Sequence, residues 1–246
     1  MSTTLFYHPE AAPSRCVEFD SSEATHIAKA LRMKAGGRVE VTNGAGQLFV
    51  AELRIDKHRV SAEIVHATAG SDFPVPLEIA IAPTKNADRI EWMVEKAVEL
   101  GVGTISLLNC DHSERSRISL DRIQRVAIAA LKQSRRTYLP KIQDTVDFRT
   151  WLTRVDSHQR FIAHCIEQLP RTLLRDAIGV NRTHTHGVNS VSIAIGPEGD
   201  FSESEVVAAQ SASFQGVSLG DARLRTETAA LAAVHTYNLL HQKSEI

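Results

Sequence analysis

The stretch VSIAIGPEGDFSESE, residues 191–205, decides the fold together with FQGVSLGDARLRTETAA, residues 214–230. In each of them a strand-like apolar run enters a glycine-bearing turn and then a helix-like run. Alternation of strands and helices is typical of a mostly parallel sheet, and open α/β folds bind their ligands where the strands of such a sheet end. The two turns lie close together in the sequence, so we expect them to share one pocket at the carboxyl edge of the sheet.

The same alternation extends back to residue 73 and predicts an α/β domain over residues 73–246. Gly101 is a good stop signal for its first helix, and Ser202 with Glu205 forms a capping box for its third. The predicted strands cover residues 77–82, 104–108, 161–166, 191–195 and 216–219. The predicted helices cover residues 87–100, 120–136, 203–211 and 227–241.

Residues 1–72 follow a different pattern, which predicts a small β-barrel or curled sheet. Alternating or β-branched runs cover residues 39–42, 47–56 and 59–67, and one helix is predicted at 23–32. Residues 69–76, AGSDFPVP, combine turn formers with two prolines and have no periodicity. We therefore expect two domains, 1–72 and 73–246, and we expect residues 69–76 to form the linker at their boundary.

Composition narrows the class of protein. The sequence has no apolar run near the roughly 20 residues that span a bilayer and no signal-peptide pattern at its start, so we expect a cytoplasmic protein outside membranes. Cys16, Cys110 and Cys165 are far apart, and His184 and His186 have no carboxylate or cysteine at ligand spacing. We expect reduced, mostly buried thiols and no metal site.

Positive charge is concentrated in residues 115–141, although the whole chain has a net charge of −1. On a helix over residues 120–136 the basic side chains share one face, and the apolar side chains share another. Such a face is either an ordinary solvated surface or a surface for a phosphate backbone, and the scarcity of acidic residues favours the second. The candidates for phosphate contact are Arg115, Arg122, Arg125, Lys132, Arg135 and Arg136.

The first turn, GPEG at 196–199, suits a ligand-binding loop. Gly196 and Gly199 let the backbone approach a ligand closely, Pro197 stiffens the turn, and Glu198 could accept hydrogen bonds from a ligand or orient a neighbouring loop. It could equally be a tight connection that binds nothing. The sequence lacks the GxGxxG and GxxxxGK[ST] patterns here, which disfavours a nicotinamide dehydrogenase or a P-loop enzyme.

The second turn places Arg223 and Arg225 immediately before the last predicted helix. Guanidinium groups at that point could hold a phosphate or stabilise a developing anion. Thr226 or Thr228 could cap the helix, and Glu227 favours its positive end, which explains these residues without a ligand.

Five ordered motifs resemble one known family: KNADRIEWMVEKAVELGV at 85–102, HSERS at 112–116, LKQSRRTYLPKI at 131–142, and the two turns. They are similar to SPOUT-class methyltransferases that modify ring nitrogen 3 of uridine 1498 in the 16S ribosomal RNA of the small subunit. The stretch HIAKALRMKAGGRVEVTNGAGQLFVAEL, residues 26–53, is similar to the PUA-like β-barrel of that family, which implies that residues 1–72 bind RNA. The resemblance therefore covers nearly the whole chain.

The resemblance implies a trefoil-knotted α/β domain, a homodimer with its active site near the subunit interface, and S-adenosyl-L-methionine as methyl donor. The cofactor loops of the family map onto three segments of this sequence. Their residues here are His164, Cys165, Gly196, Pro197, Glu198, Gly199, Leu219, Gly220, Leu224, Arg225, Thr226 and Thr228, with Glu227 in the last segment.

The implied reaction is in-line transfer of a methyl group to a uracil nitrogen, for which the protein mainly positions the reactants. We expect Arg225 to stabilise the negative charge on the base and Glu198 or Glu227 to fix the loops. The basic helix and Arg115 would bind the 16S ribosomal RNA. Many relatives have arginine where Ala222 stands here, so the resemblance assigns no role to Arg223.

Three alternatives remain. A related enzyme could act on transfer RNA or on another ribosomal RNA position, although the N-terminal barrel and the series of motifs argue against it. A catalytically silent RNA-binding protein could keep the fold without binding the cofactor. A small-molecule α/β enzyme is disfavoured by the basic segment 115–141.

Overall fold

A computed structural model describes residues 3–56, 59–70, 75–114, 118–178 and 190–241. The chain divides into two compact units: Met1–Pro74 with Ile128–Leu139, and Val75–Ala127 with Pro140–Ile246. Residues of the helix predicted at 120–136 are thus assigned to both units. Arg115 and the segment with His184 and His186 lie outside the described residues.

The N-terminal unit is a curled five-stranded sheet with strand order β1-β3-β4-β5-β2. Strand β1 pairs parallel with β3, and the other pairs are antiparallel. The core includes the fully buried side chains of Phe6, Ile27, Phe49 and Leu53. The strands are β1 Leu5–Tyr7, β2 Cys16–Glu18, β3 Arg38–Thr42, β4 Gln47–Asp56 and β5 Arg59–Ala69. Helix α1, Ser21–Thr25, continues into a π-helical turn, His26–Ala30.

The segment that follows the basic helix belongs to this N-terminal unit. The backbone N–H of Gly46 donates to the carbonyl of Thr137 over 2.9 Å, and the N–H of Leu139 donates to the carbonyl of Gly44 over 2.9 Å. Gly46 has a φ of +88°, and a Cβ at this position would collide with the ring of Tyr138. Glycine at position 46 therefore lets residues 137–139 lie against the turn before β4.

The second unit is a seven-stranded sheet in which every neighbouring pair is parallel, with strand order β10-β12-β9-β11-β6-β7-β8. Its strands are β6 Leu77–Ile81, β7 Thr104–Asn109, β8 Lys141–Asp147, β9 Gln159–Ala163, β10 Thr172–Leu173, β11 Val191–Ile195 and β12 Gln215–Ser218. Its helices are α2 Ala87–Leu100, α4 Phe148–Leu152, α5 Leu174–Ala177, α6 Glu203–Ser211 and α7 Thr226–His241, and α3 is Leu120–Ser134. The predicted α/β class with a mostly parallel sheet is confirmed.

Local chemistry explains the helix bounds. Gly101 ends α2 in the left-handed region, at a φ of 89°, and its N–H donates to the carbonyls of Ala97 and Val98. Both hydrogen bonds of the predicted capping box between Ser202 and Glu205 are present at the start of α6. With these two signals, the helices predicted at 87–100 and 203–211 have the observed bounds.

A partly buried carboxylate lies within the sheet. Glu78 of β6 accepts hydrogen bonds from the hydroxyls of Ser106 and Ser192, each over 2.5 Å, and from the indole N–H of Trp151 over 3.1 Å. The three donors come from β7, β11 and α4. They compensate for the cost of placing an acidic group among packed strands.

Strand β11 is inserted between β6 and β9, although β7 and β8 separate β6 from β9 in the sequence. The chain therefore adds β7 and β8 on one side of β6 and then places β9 to β12 on the other side. The trefoil knot implied by the resemblance stays a prediction.

Candidate active site

The three predicted cofactor segments follow three adjacent parallel strands. His164 and Cys165 follow β9, residues 196–199 follow β11, and residues 219–225 follow β12. Because the sheet order runs β12-β9-β11, these segments leave the sheet at the same edge. The structure thus brings together the residues that the sequence separates by up to 64 positions.

Hydrogen bonds join the segment after β11 to its neighbours. The Glu198 carboxylate accepts the backbone N–H of Lys85, which follows β6, over 3.1 Å. The Asp200 carboxylate accepts the backbone N–H of Cys165 over 2.7 Å, and its carbonyl oxygen lies 3.0 Å from Nδ1 of His112. Asp200 has a φ of 63°, in a region that aspartate tolerates better than most residues. The loop is therefore held in one conformation from three sides.

The glycines of this turn are required for different packing reasons. A Cβ at Gly196 would lie 3.1 Å from the ring and the backbone nitrogen of Phe201, and one at Gly199 would lie 3.2 Å from Cβ of His112. A side chain at position 196 would press on Phe201 of the same turn, and one at position 199 would press on His112 of the segment after β7.

The segment after β12 borders a cavity of about 270 Å³. Its walls include Leu173 and Leu174, Leu219 and Gly220, and Thr236 of α7. Gly220 has a φ of +126°, and apart from its chain neighbours no atom of the described residues lies within 4 Å of the position that its Cβ would occupy. The positive φ, and not close packing, favours glycine at position 220. The absence of a side chain leaves open space beside the turn.

Helix α7 begins at Thr226, so the residue before it is Arg225, whose carbonyl accepts the N–H of Ala229 over 2.8 Å. The suggestion that Thr226 or Thr228 caps the helix is wrong, because both lie within it. The Arg223 and Arg225 side chains are exposed, as is Thr228, whereas Thr226 is buried. Arg225 can therefore reach a ligand at the edge of the sheet.

Glu227 is buried at the start of α7. Its Oε1 lies 3.8 Å from Nε of Arg89 on α2, and its Oε2 has no hydrogen-bond partner among the described residues. The positive end of the helix and the Arg89 guanidinium both attract this carboxylate. One buried acceptor oxygen remains available for a donor.

His164 is also buried without a partner. Both ring nitrogens lack hydrogen bonds among the described residues, and a Cβ on Gly216 would lie 2.8 Å from Nε2. Burial lowers the pKa of His164 below its usual 6.5; Asp200 opposes this shift and Arg171 adds to it. The neutral imidazole offers one donor and one acceptor at the end of β9.

Most of the predicted RNA-binding side chains on α3 and just after it contact acidic groups. Arg122 lies 2.5 Å from Glu91 and 3.4 Å from Asp88, Lys132 lies 2.5 Å from Glu23, and Arg135 pairs with Glu40. Arg125 is exposed and has no ion pair within the described part of the chain, and Arg136 is partly buried. Several charges of the basic face are thus matched within the protein.

Sequence reasoning missed the residues that fix the loops. Asp200, His112 and Arg89 act through contacts between segments that are far apart in the chain, and residue types alone do not predict such contacts. Each nevertheless lies in or beside a quoted motif: Asp200 follows the GPEG turn, His112 begins HSERS, and Arg89 belongs to the motif at 85–102.

Cys110 is buried, whereas Cys16 and Cys165 are exposed, so the expectation of mostly buried thiols is wrong. Two further features are absent from the described residues. No group of three or more histidine, cysteine, aspartate or glutamate side chains there is arranged to hold a metal ion. Within the same residues, none of the helices has the length and apolar character needed to cross a membrane.

Comparisons with known proteins support the expected class. Residues 71–238 match the model of the RNA methyltransferase domain, and residues 19–65 match the RNA methyltransferase PUA domain. The chain is 26% identical to ribosomal RNA small subunit methyltransferase E of Synechocystis over 242 residues, 98% of this chain and 78% of that protein.

Solved structures give the same result. A probable rRNA-methyltransferase from Porphyromonas gingivalis is 38% identical, with a TM-score of 0.85 over 96% of this chain and 98% of that one. Ribosomal RNA small subunit methyltransferase E from Neisseria gonorrhoeae, bound to S-adenosyl methionine, is 27% identical, with a TM-score of 0.82 over 97% and 98%. The predicted fold class, a SPOUT methyltransferase domain after a PUA-like domain, is confirmed. Because the RNA methyltransferase model spans more than half of the sequence, this chain belongs to the RNA methyltransferase family.

Proposed function

We propose that the protein transfers the methyl group of S-adenosyl-L-methionine to ring nitrogen 3 of one uridine in 16S ribosomal RNA. The observation that carries the proposal is the meeting of the three predicted cofactor segments at one edge of the parallel sheet. The relatives support it, because several are named for methylation of small-subunit ribosomal RNA and one structure contains the cofactor.

The residues at this edge fit such a cofactor. The open space beside Gly220 and the apolar side chains of Leu173, Leu174 and Leu219 suit a flat, largely apolar ring. Arg175 and Asp221 in the same lining offer polar contacts to its edges. His164 and one oxygen of Glu227 have no hydrogen-bond partner among the described residues, so they offer hydrogen bonds to a ligand. When bound, S-adenosyl-L-methionine supplies an electrophilic methyl group on a sulfonium.

The side chains of the protein then orient the loops of the site and stabilise the charge that develops on the base. Uracil nitrogen 3 attacks best as an anion, and the exposed guanidinium of Arg225 stabilises the negative charge that spreads onto the carbonyl oxygens of the base. Glu198 holds the turn after β11 against the segment after β6. Glu227, beside Arg89, keeps a negative charge at the start of α7 and so helps to orient the segment that carries Arg225.

We also propose that the enzyme is a homodimer, carries the trefoil knot, and works in the cytoplasm with the small ribosomal subunit. Helices α2 and α7 pack against each other. Each also exposes a large apolar side chain, Trp92 at 46% and Leu239 at 59%. Exposed side chains of this size favour a protein partner.

The function is tested by incubating the protein with labelled S-adenosyl-L-methionine and either free 16S ribosomal RNA or small subunits that lack the modification. We expect label on ring nitrogen 3 of a single uridine. Label on a cytosine, a ribose or transfer RNA would contradict the substrate assignment. Calorimetry with the cofactor separates an enzyme from a silent RNA-binding relative, because the latter would release no heat of binding.

A further inference from the structure

His112 is an exposed histidine beside the candidate site. It lies just beyond β7, which is parallel to β6, and β6 is parallel to β11. The segment after β7 therefore leaves the sheet at the same edge as the three cofactor segments. A Cβ at Gly199 would lie 3.2 Å from Cβ of His112, so the histidine side chain starts against the GPEG turn. A base held beside that turn would be within reach of its ring.

The hydrogen bond of His112 determines which ring nitrogen can accept a proton. Nδ1 lies 3.0 Å from the backbone carbonyl oxygen of Asp200. A carbonyl oxygen only accepts hydrogen bonds, so Nδ1 carries a hydrogen and donates it. In the neutral ring the free lone pair is then on Nε2. Nε2 has no hydrogen-bond partner among the described residues, so it is available to take a proton from a ligand.

Asp200 is itself fixed, and it connects His112 to the cofactor segments. Its carboxylate accepts the N–H of Cys165 over 2.7 Å and that of Phe201 over 2.8 Å. Its own N–H donates to the carbonyl of Pro197 over 3.0 Å. The residue that selects the tautomer of His112 thus also joins the segment after β9 to the GPEG turn.

The backbone on both sides of His112 is also held. The N–H of Asp111 donates to Oε1 of Glu205 over 2.9 Å. The N–H of Ser113 donates to the carbonyl of Cys110 over 3.0 Å, and its hydroxyl accepts the N–H of Cys110 over 2.9 Å. The ring is therefore presented from an ordered segment, which is what a catalytic group needs in order to meet a substrate at a fixed geometry.

The other proton acceptors at this edge already have partners. The Glu198 carboxylate accepts the N–H of Lys85, and Glu114 lies 2.8 Å from Nζ of Lys85. Asp111 accepts the hydroxyl of Ser202 over 2.6 Å. An imidazole is also the side chain that suits proton transfer near neutral pH best. His112 is therefore the strongest candidate for a base at this edge.

We propose that His112 is a catalytic residue that takes the proton from ring nitrogen 3 of the uridine. The proposal rests on the proposed function and deepens it, because it names the group that generates the attacking anion. The N–H bond of the uracil breaks, the proton goes to Nε2 of His112, and the electron pair stays on nitrogen 3. That pair forms the new bond to the methyl carbon, while the electrons of the carbon–sulfur bond go to the sulfur. The exposed imidazolium then releases its proton to water, and Arg225 stabilises the charge on the base in between.

The key variant is His112→Asn, because it separates the two nitrogens of the ring. The asparagine amide nitrogen takes about the place of Nδ1 and keeps a donor for the carbonyl of Asp200, but it cannot accept a proton. His158→Asn is the matched control. His158 is exposed and its Nδ1 lies 2.9 Å from the Ser190 hydroxyl, but it precedes β9 and so lies at the opposite edge of the sheet.

Methyl transfer is measured in a single turnover with saturating S-adenosyl-L-methionine, on small subunits reconstituted with a 16S ribosomal RNA transcript. We expect His112→Asn to lower the rate constant about 100-fold near neutral pH and the control to change it less than about twofold. Cofactor affinity in calorimetry should change less than about threefold in both variants. Imidazole in solution should restore part of the rate of His112→Ala, which provides a second test if the asparagine variant folds poorly.

The pH profile distinguishes a base from a residue that only supports the loop. The native rate should rise with pH while a histidine loses its proton and then level off. The rate of His112→Asn should rise over the whole range, because only solvent then removes the uracil proton. His164 remains in this variant, so loss of the plateau cannot come from that histidine. The charged groups on the segments that contact His112 are carboxylates and a lysine, which ordinarily titrate outside this range. They are Asp111, Glu114, Glu198, Asp200 and Lys85.

A transcript with 5-fluorouridine provides the decisive comparison. Fluorine makes the hydrogen on nitrogen 3 more acidic, so less help from a base is needed. The deficit of His112→Asn should shrink from about 100-fold to about tenfold on this substrate. A loop that is merely misplaced would slow transfer to both substrates equally.

A native rate in His112→Asn, an equal deficit on the two substrates, or an unchanged pH profile would overturn the proposal. A parallel loss of cofactor affinity would also overturn it and would assign His112 to the support of the GPEG turn. A native protein that transfers no methyl group to nitrogen 3 would refute the proposed function, and the proposal with it. Failure of the proposal alone is recognised by a native enzyme that is active beside an equally active asparagine variant.

Discussion

The backbone N–H of Lys85 donates a 3.1 Å hydrogen bond to Oε1 of Glu198, which lies 113 residues later in the chain. It connects the segment after β6 to the turn after β11. Glu198→Ala removes the acceptor, so the turn loses one of its contacts. We expect affinity for S-adenosyl-L-methionine to fall about fivefold, since a hydrogen bond of this kind contributes about 1 kcal/mol. Glu198→Gln keeps an acceptor oxygen and should bind nearly normally in calorimetry; equal losses in both variants would contradict this role.

Arg225 should matter for the chemical step far more than for cofactor binding. Removing one group that stabilises charge in a transition state typically lowers kcat by about 100-fold or more. We expect that loss in Arg225→Ala under single-turnover conditions, with cofactor affinity changed less than about threefold. Arg223→Ala is the matched control, because Arg223 is equally exposed and lies two residues away. A parallel fall in rate and affinity would assign Arg225 to binding.

Arg89 and Glu227 should be energetically coupled. Arg89→Met leaves the buried Glu227 carboxylate without its nearby cation, and we expect a loss of about 1 to 2 kcal/mol in the free energy of unfolding. Glu227→Gln in the same background should recover part of that loss, because an amide needs no cation. Urea unfolding of the two single variants and the double variant forms the cycle. Additive effects would show that the two side chains do not interact.

His164 should make stability depend on pH. Burial holds the pKa of His164 below 6.5, so the unfolded chain takes up a proton at a higher pH than the folded protein does. Its contribution is therefore fully present above pH 6.5 and is lost as the pH falls towards the lower, folded value. We expect His164→Gln to lose less stability than the native protein between pH 7.5 and pH 5, as measured by urea unfolding. His235→Gln, an exposed position on α7, should leave the native dependence unchanged.

The sequence alone predicted the helices and strands that have strong local signals. Strand Val191–Ile195 and helices Ala87–Leu100 and Glu203–Ser211 have the predicted bounds, because an apolar run, a left-handed glycine and a capping box specify them. Strands β1, β2 and β10 are two or three residues long, too short for periodicity to appear. Strand β8 lies at an edge of the sheet and is mostly polar, so its sequence resembles a loop.

The sequence predicted which segments form the candidate site, but it did not predict the hydrogen bonds and ion pairs that join them. The two glycine-bearing turns lie at one edge of the sheet, as predicted, because each directly follows a strand. The contacts of Asp200 with Cys165 and of Glu23 with Lys132 join residues 35 and 109 positions apart, and residue types alone do not predict such pairs. The same limit explains why the charge pattern of α3 did not reveal its ion pairs.

The hydrogen bonds of Glu78 also constrain how the sheet can assemble. Glu78 lies directly opposite Ser192 in the pairing of β6 with β11. A slip of β11 by one position would turn Ser192 to the other face and bring Val191 or Ile193 against the carboxylate. Strand β11 is apolar on both faces apart from this serine, so hydrophobic burial alone distinguishes poorly between neighbouring alignments. The hydrogen bond between Glu78 and Ser192 thus favours one register of β11 when this strand pairs between β6 and β9.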